Sequence, residues 1–124
     1  MSGIKVDDLA AVIMDEMRAY SDEVSEALKE SVKEASKETA AEIRGNAPKD
    51  SGKYKKGWKS RVEYEARTDI RTVVYNSSKP QLTHLLEYGH ARAGGGRVDG
   101  TAHIRPADEK LENVLEGKIK VKLR

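Results

Sequence analysis

The chain has no cysteine and no phenylalanine, and only one tryptophan and three prolines in 124 residues. Without cysteine, disulfides and thiolate metal sites are excluded. Aromatics make up 5%, apolar residues 37% and charged residues 35%, so any core is thin for the chain length. Either part of the chain is solvated helix, or its apolar surface is completed by other subunits. No apolar run approaches the roughly 18 residues of a membrane span. The start, Met1-Ser-Gly-Ile-Lys-Val-Asp-Asp8, lacks a basic-then-apolar signal pattern. The expectation is a soluble protein made in a cytoplasm, of one domain or less.

What is present is charge, unevenly placed. The net charge is +2, yet residues 1–44 carry 6 Lys/Arg against 11 Asp/Glu, and residues 45–124 carry 17 against 10. A dipolar chain of this kind suits head-to-tail association, or an acidic arm laid on a basic neighbour. The plainer alternative is a solvated acidic helix beside a basic body.

From Val6 to Arg44 there is neither proline nor glycine, and good helix formers dominate. Asp7 and Asp8 suit a helix N-terminus and Gly45 a stop. Leu9, Ile13, Met17, Tyr20, Val24, Leu28, Val32, Ala35 and Thr39 recur in steps of three and four, which predicts one helix of about 38 residues, roughly 57 Å long. Such a helix kinks, near Tyr20-Ser21-Asp22, or projects towards a partner. Its second half, rich in Ala, Val and Thr, allows close contacts with little hydrophobic drive, and is too poor in Leu and Ile for a strong coiled-coil seam.

Gly45-Asn-Ala-Pro-Lys-Asp-Ser-Gly52 is dense in breakers. The basic and aromatic stretch Lys53–Arg61 follows. From Trp58 the pattern alternates, placing Trp58, Ser60, Val62 and Tyr64 on one side of a half-buried strand. A turn at Arg67–Asp69 leads into Ile70–Tyr75, and the two strands form an antiparallel hairpin. Gln81–Tyr88 reads as a short helix burying Leu82, Leu85 and Leu86, closed by Gly89. Residues 91–102 read as a flexible Gly/Arg loop and Thr101–Arg105 as a short strand. Pro106 opens a helix over Ala107–Glu116, and Lys118–Arg124 is a last strand or a basic tail. The fold class is α+β: a long N-terminal helix, an antiparallel sheet built on a hairpin, and a short middle helix and a C-terminal helix packed on one face, all in one domain over 1–124. Within it, 1–44 is a projecting helix and 45–124 the body.

Leu82-Thr-His-Leu-Leu-Glu-Tyr-Gly-His-Ala91 and Thr101-Ala-His-Ile-Arg-Pro-Ala107 concentrate the residue types of chemistry. A metal reading would use His84, Glu87, His90 and His103. His84 and His90 are six apart with Gly89 between them, whereas zinc proteases place two His four apart around a Glu. Packing and hydrogen-bonding roles for His84 and His103 fit better, so no metal or cofactor is expected. Glu87 and His84 could form an acid/base pair, but no nucleophile is evident with a base held by a third group, so no catalytic residues are expected. Lys53–Arg61 is the best candidate for nucleic-acid contact; a basic surface facing an acidic protein fits equally well.

The order of these pieces carries a resemblance: Asn46-Ala-Pro48-Lys-Asp-Ser-Gly52, then Tyr54 and Trp58, then Val73-Val-Tyr-Asn76, the box His84-Leu-Leu-Glu-Tyr-Gly-His90, and His103-Ile-Arg-Pro106-Ala107. The chain resembles the minor tail-component family of long-tailed bacteriophages and prophages, also called tail-completion or neck proteins. The likeness covers nearly the whole chain, most firmly residues 41–115. It implies a non-enzymatic virion protein at the head–tail junction, assembled in the host cytoplasm as a sixfold or twelvefold ring between head connector and tail tube, with no membrane partner. It makes Asn46, Pro48, Gly52, Trp58, His84, Leu85, Leu86, Glu87, Tyr88, Gly89, His103 and Pro106 structural positions. Lys53, Lys55, Lys56, Arg92 and Arg97 become candidates for contact with neighbouring subunits or passing DNA. A tail terminator, a nucleic-acid-binding module and a zinc hydrolase are the alternatives.

Overall fold

The computed structural model describes residues 10–14, 19–48 and 52–123. Its elements are β1 (Ala10–Met14), α1 (Asp22–Asn46), α2 (Lys53–Lys56), β2 (Trp58–Ala66), β3 (Asp69–Asn76), α3 (Thr83–Tyr88) after a 3-10 turn at Pro80–Leu82, β4 (Gly89–Ala91), β5 (Arg97–Asp99) and α4 (Arg105–Lys122). This is the expected α+β arrangement, with three corrections to its elements.

The first concerns the long helix. It starts at Asp22, not near Val6, and Ala10–Met14 is a strand antiparallel to β3, pairing Ala10 with Val74 and Met14 with Ile70. Ala10–Met14 is a continuous apolar run, which a strand accommodates as well as a helix does, and Val12 and Ile13 are β-branched. Pairing with β3 decides the matter. The expected kink site is where α1 begins: Ser21 accepts the Val24 N–H at 3.2 Å, and Asp22 and Glu23 sit in the first turn. The roles expected of Asp7, Asp8, Leu9 and Met17, and of Lys49–Ser51 in the turn, lie outside the described residues.

The sheet order is β1-β3-β2. α1 lies on one face with Leu28, Val32, Ala35, Thr39 and Ile43 inward. Small residues let it approach closely: the Ser36 hydroxyl bonds both the Val32 carbonyl at 2.9 Å and the Thr72 hydroxyl on β3. The second correction is in β2. A register shift between Val62 and Tyr64 leaves Glu63 as an extra residue. Beyond it the faces exchange. Glu65 comes under α1 to meet Lys29 at 3.4 Å and Lys33 at 3.1 Å, while Tyr64 turns to the opposite face, 55% exposed. The strict alternation expected from Trp58 to Tyr64 therefore fails at its far end, and Val62 is also largely exposed.

The third correction is at the C-terminal side. Residues 89–99 form a two-stranded hairpin, Gly89 opposite Asp99 and Ala91 opposite Arg97, within the segment expected to be a loop. The strand expected at Thr101–Arg105 is absent, and α4 runs on through Lys122, so 118–122 are helical. α4 lies antiparallel along α1, with Lys110 bonded to Glu42, Lys118 to Glu38 and Lys122 to Glu34. The core has two parts. The larger joins Ala40, Ile43, Ala47, Tyr54, Trp58, Val74, Ile104 and Ala107; the smaller joins Val32 and Ile70 with Leu111 and Leu115 against them.

Candidate functional site

The residues singled out in the His boxes meet at the start of α4. That helix has Ile104 at its N-cap and no side chain of its own to satisfy its first N–H groups. Glu87, from α3, takes their place. Its carboxylate accepts from the backbone N–H of His103 at 2.8 Å, Ile104 at 2.9 Å and Arg105 at 3.0 Å. Burial works to raise the Glu87 pKa, but these three N–H groups and the neighbouring His103 outweigh it and hold the carboxyl below its usual range. The anion at a helix N-terminus also suits the helix dipole.

His103 is wholly buried beside it. Its Nδ1 lies 2.7 Å from the Thr101 carbonyl and 3.0 Å from the Glu87 carboxylate, both acceptors, so Nδ1 carries the proton. Its Nε2 lies 2.7 Å from the Tyr54 hydroxyl. Burial pushes the Tyr54 pKa up to about 12, so the phenol stays protonated and donates to Nε2. The Thr83 hydroxyl and the Trp58 indole N–H interact with the same phenol and lower its pKa in part, although neither reaches hydrogen-bond geometry. The rings of Tyr54, Trp58 and His103 pack edge to face with centroids 5.6–6.0 Å apart.

Tyr54, His103 and Glu87 thus form a hydroxyl–imidazole–carboxylate row, which the sequence reading did not find. In outline it is the arrangement that activates a nucleophile. Its surroundings argue for a structural role. Tyr54 is 1% exposed and His103 0%, so neither is presented to a substrate from solvent. One Glu87 oxygen and half of the other are spent on backbone N–H groups. No distinctive spacing pointed to Tyr54 as a partner of His103, 49 residues away.

The remaining positions separate. His84 is exposed and packs on Tyr88, with ring centroids 5.0 Å apart, so it forms no acid/base pair with the inward Glu87. His90 lies in β4, and among the described residues no group of three or more His, Asp or Glu gathers in a way that could hold a metal. Leu85, expected inside, is 40% exposed; Thr83 and Glu87 take the inward positions of α3, with Leu82 and Leu86 against the core. Gly89 ends α3 with φ +80°, and a side chain there would strike the Val98 carbonyl and the Gly100 amide. Gly52 precedes α2 with φ +86°; Asn46 ends α1, Pro48 is half-buried, and Pro106 lies in the first turn of α4. Asn76 is a structural residue the sequence reading undervalued. Its amide donates to the Tyr54 carbonyl at 2.7 Å and accepts from the Ser78 and Lys79 N–H groups. Of the contact candidates, Lys53, Lys56, Arg92 and Arg97 are exposed; Arg97 also donates to the Tyr88 carbonyl at 2.6 Å and Lys55 to that of Gly45 at 3.5 Å.

Fold and site together define a small α+β protein whose motif residues are spent on holding its own helices and hairpins. The chain belongs to the HK97-gp10-like family, described as "Bacteriophage HK97-gp10, putative tail-component", whose model matches residues 11–89. That makes it a phage tail-related structural protein, associated with the virion, in a family that is not an enzyme class. The match spans β1 to the end of α3, and the His103-Ile-Arg-Pro106 segment lies beyond it. No curated protein and no solved structure matches the chain. No helix among the described residues is long and apolar enough to cross a membrane.

Proposed function

We propose that the protein completes the phage tail at the head–tail junction, as a ring of identical subunits joining the head connector to the tail tube. Family membership carries this reading. The burial of the Tyr54–His103–Glu87 row supports it, because the polar residues that suggest chemistry are engaged in fixing α4 to α3 and α2. The thin core supports it too: Tyr64, Leu85 and Tyr88 remain exposed as apolar surface that neighbouring proteins could cover. The partners on this reading are other copies of the chain, the head connector and the tail tube.

The test is a phage carrying an inactivated gene for this protein, examined by electron microscopy. DNA-filled heads and tails of normal length that fail to join support tail completion. Tails of uncontrolled length would instead assign the protein as a terminator of tube growth, and fully joined particles would overturn both readings.

A further inference from the structure

Unpaired charges of the described surface form a group of one sign at each end of α1; others, such as Arg92, Asp99, Glu109 and Glu112, lie on the β4–β5 hairpin and on α4. α1 and β2 run side by side in opposite directions: Arg44, late in α1, donates to the Trp58 carbonyl at 2.5 Å, and Lys29, early in α1, donates to the Ala66 carbonyl at 3.0 Å. The two ends of this pair stand about 25 Å apart. At the Arg44 end lie Lys53 and Lys56 on α2, Lys59 in β2 and Lys79 after β3. The Ser77 N–H bonds the Gly57 carbonyl at 2.8 Å and so brings the end of β3 against α2. Among the described residues none of these four lysines is in an ion pair, and the first three are exposed.

The other end is the reverse. The first turns of α1 expose Asp22, Glu23, Glu26 and Glu30. Its cations are already engaged: Lys29 with Glu26 at 2.7 Å, Lys33 with Glu65 at 3.1 Å, and Arg67 with Asp22 at 2.9 Å. Glu23 and Glu30 have no cation partner among the described residues.

We propose that the lysine end of one subunit receives the acidic start of α1 from a second copy of this chain, head to tail. The inference rests on the ring reading and names the surfaces that would build it. A second copy is favoured over nucleic acid because it satisfies both ends at once, whereas a polyanion matches the lysine end only. Two unlike patches on one chain make a heterologous contact, which repeats into a closed ring when the rotation closes. Such a contact weakens with salt, because its charges are exposed.

The test uses the full chain and two variants, Lys53→Gln/Lys56→Gln/Lys59→Gln and Glu23→Gln/Glu30→Gln, in sedimentation velocity from about 30 mM to about 500 mM salt. All five positions are exposed, and far-UV circular dichroism checks that the variants fold. The wild type is expected to associate at low salt and dissociate at high salt. Each variant alone should self-associate at least about tenfold more weakly, and their equimolar mixture should give heterodimers and nothing larger, since it holds one native head and one native tail per pair. A wild type that stays monomeric at low salt overturns the proposal. So do variants that associate like the wild type, an outcome that leaves the ring reading standing with its interface elsewhere. Tight binding of a duplex oligonucleotide, lost only in the lysine variant while self-association persists, assigns the lysine end to nucleic acid and also overturns it. Failure of the ring reading is read separately, from joined particles in the gene-inactivation experiment.

Discussion

Glu87 does the work of a helix cap from a distance, and its replacement should be costly. Glu87→Ala leaves the buried N–H groups of His103 and Ile104 and the part-buried one of Arg105 without their acceptor and is expected to destabilise by about 2–4 kcal/mol in denaturant melts. The pH dependence follows from the depressed pKa. A carboxyl whose folded pKa lies below its unfolded value contributes stability that is full above the unfolded value, about 4.3, and is lost as pH falls through the folded one. The melting temperature should therefore fall in acid, and Glu87→Gln should flatten part of that fall while lowering the plateau at neutral pH. Glu34, Glu65 and Glu116 are depressed by lysine partners with the same sign, but they stand nearer solvent and screening reduces their share. An acid limb unchanged in Glu87→Gln would contradict the assignment. Tyr54→Phe removes the one donor to His103 Nε2 and is expected to cost about 1–3 kcal/mol, the price of a buried acceptor left unpaired.

At the scale of elements, the hairpins were legible to different depths. Breakers and alternation placed β2 and β3, but alternation cannot see a bulge, and the extra residue at Glu63 moved Tyr64 and Glu65 to exchanged faces. The β4–β5 pair was hidden because its strands are three residues each, and the four glycines around them read as a loop. Gly89 is where that hairpin is most sensitive. Its φ of +80° and the closeness of the Val98 carbonyl predict that Gly89→Ala destabilises by about 2 kcal/mol or more. Hydrogen exchange should locate the loss in β4, β5 and the end of α3. A Gly89→Ala protein with unaltered exchange there would refute this account. The short helix α3 was placed correctly, yet its face was misjudged at Leu85. Leu82 and Leu86 do pack against the core, but reading Leu85 as inward overlooked that Glu87 had a buried task, which only α4 could assign.

Over the whole molecule, the two core clusters sit at opposite parts of α1, Ile43 in the neighbourhood of Trp58 and Val32 in that of Ile70. α1 and the sheet run through both, so they should unfold together. Trp58 is the only tryptophan and lies in the larger cluster. Its fluorescence and the far-UV circular dichroism are expected to give coincident transitions in urea at high salt; separate midpoints would show that the clusters are independent. The charge asymmetry was legible as a count over the two halves of the chain. The fold converts it into two ends, because β2 returns antiparallel along α1 and consumes the lysines near the helix start in ion pairs with Glu26 and Glu65.

The sequence by itself determined what local chemistry controls. Ser21 with Asp22 and Glu23 starts α1, the glycines at 52 and 89 permit positive φ, Pro106 opens α4, and β-branched residues make β3. Only the tertiary structure decided between near-equal local alternatives. Ala10–Met14 had adequate helix propensity and became a strand because β3 offered an edge. Lys118–Lys122 alternated like a strand and became helix because Glu34 and Glu38 on α1 offered partners. The three histidines and the glutamate of the two His boxes had the composition of a reactive site, and long-range packing buried Glu87 and His103 together at the start of α4, left His90 half-buried in β4 and left His84 exposed. Local propensities differ by tenths of a kcal/mol per residue, about the scale of one side-chain contact, so contacts between distant residues settle such cases.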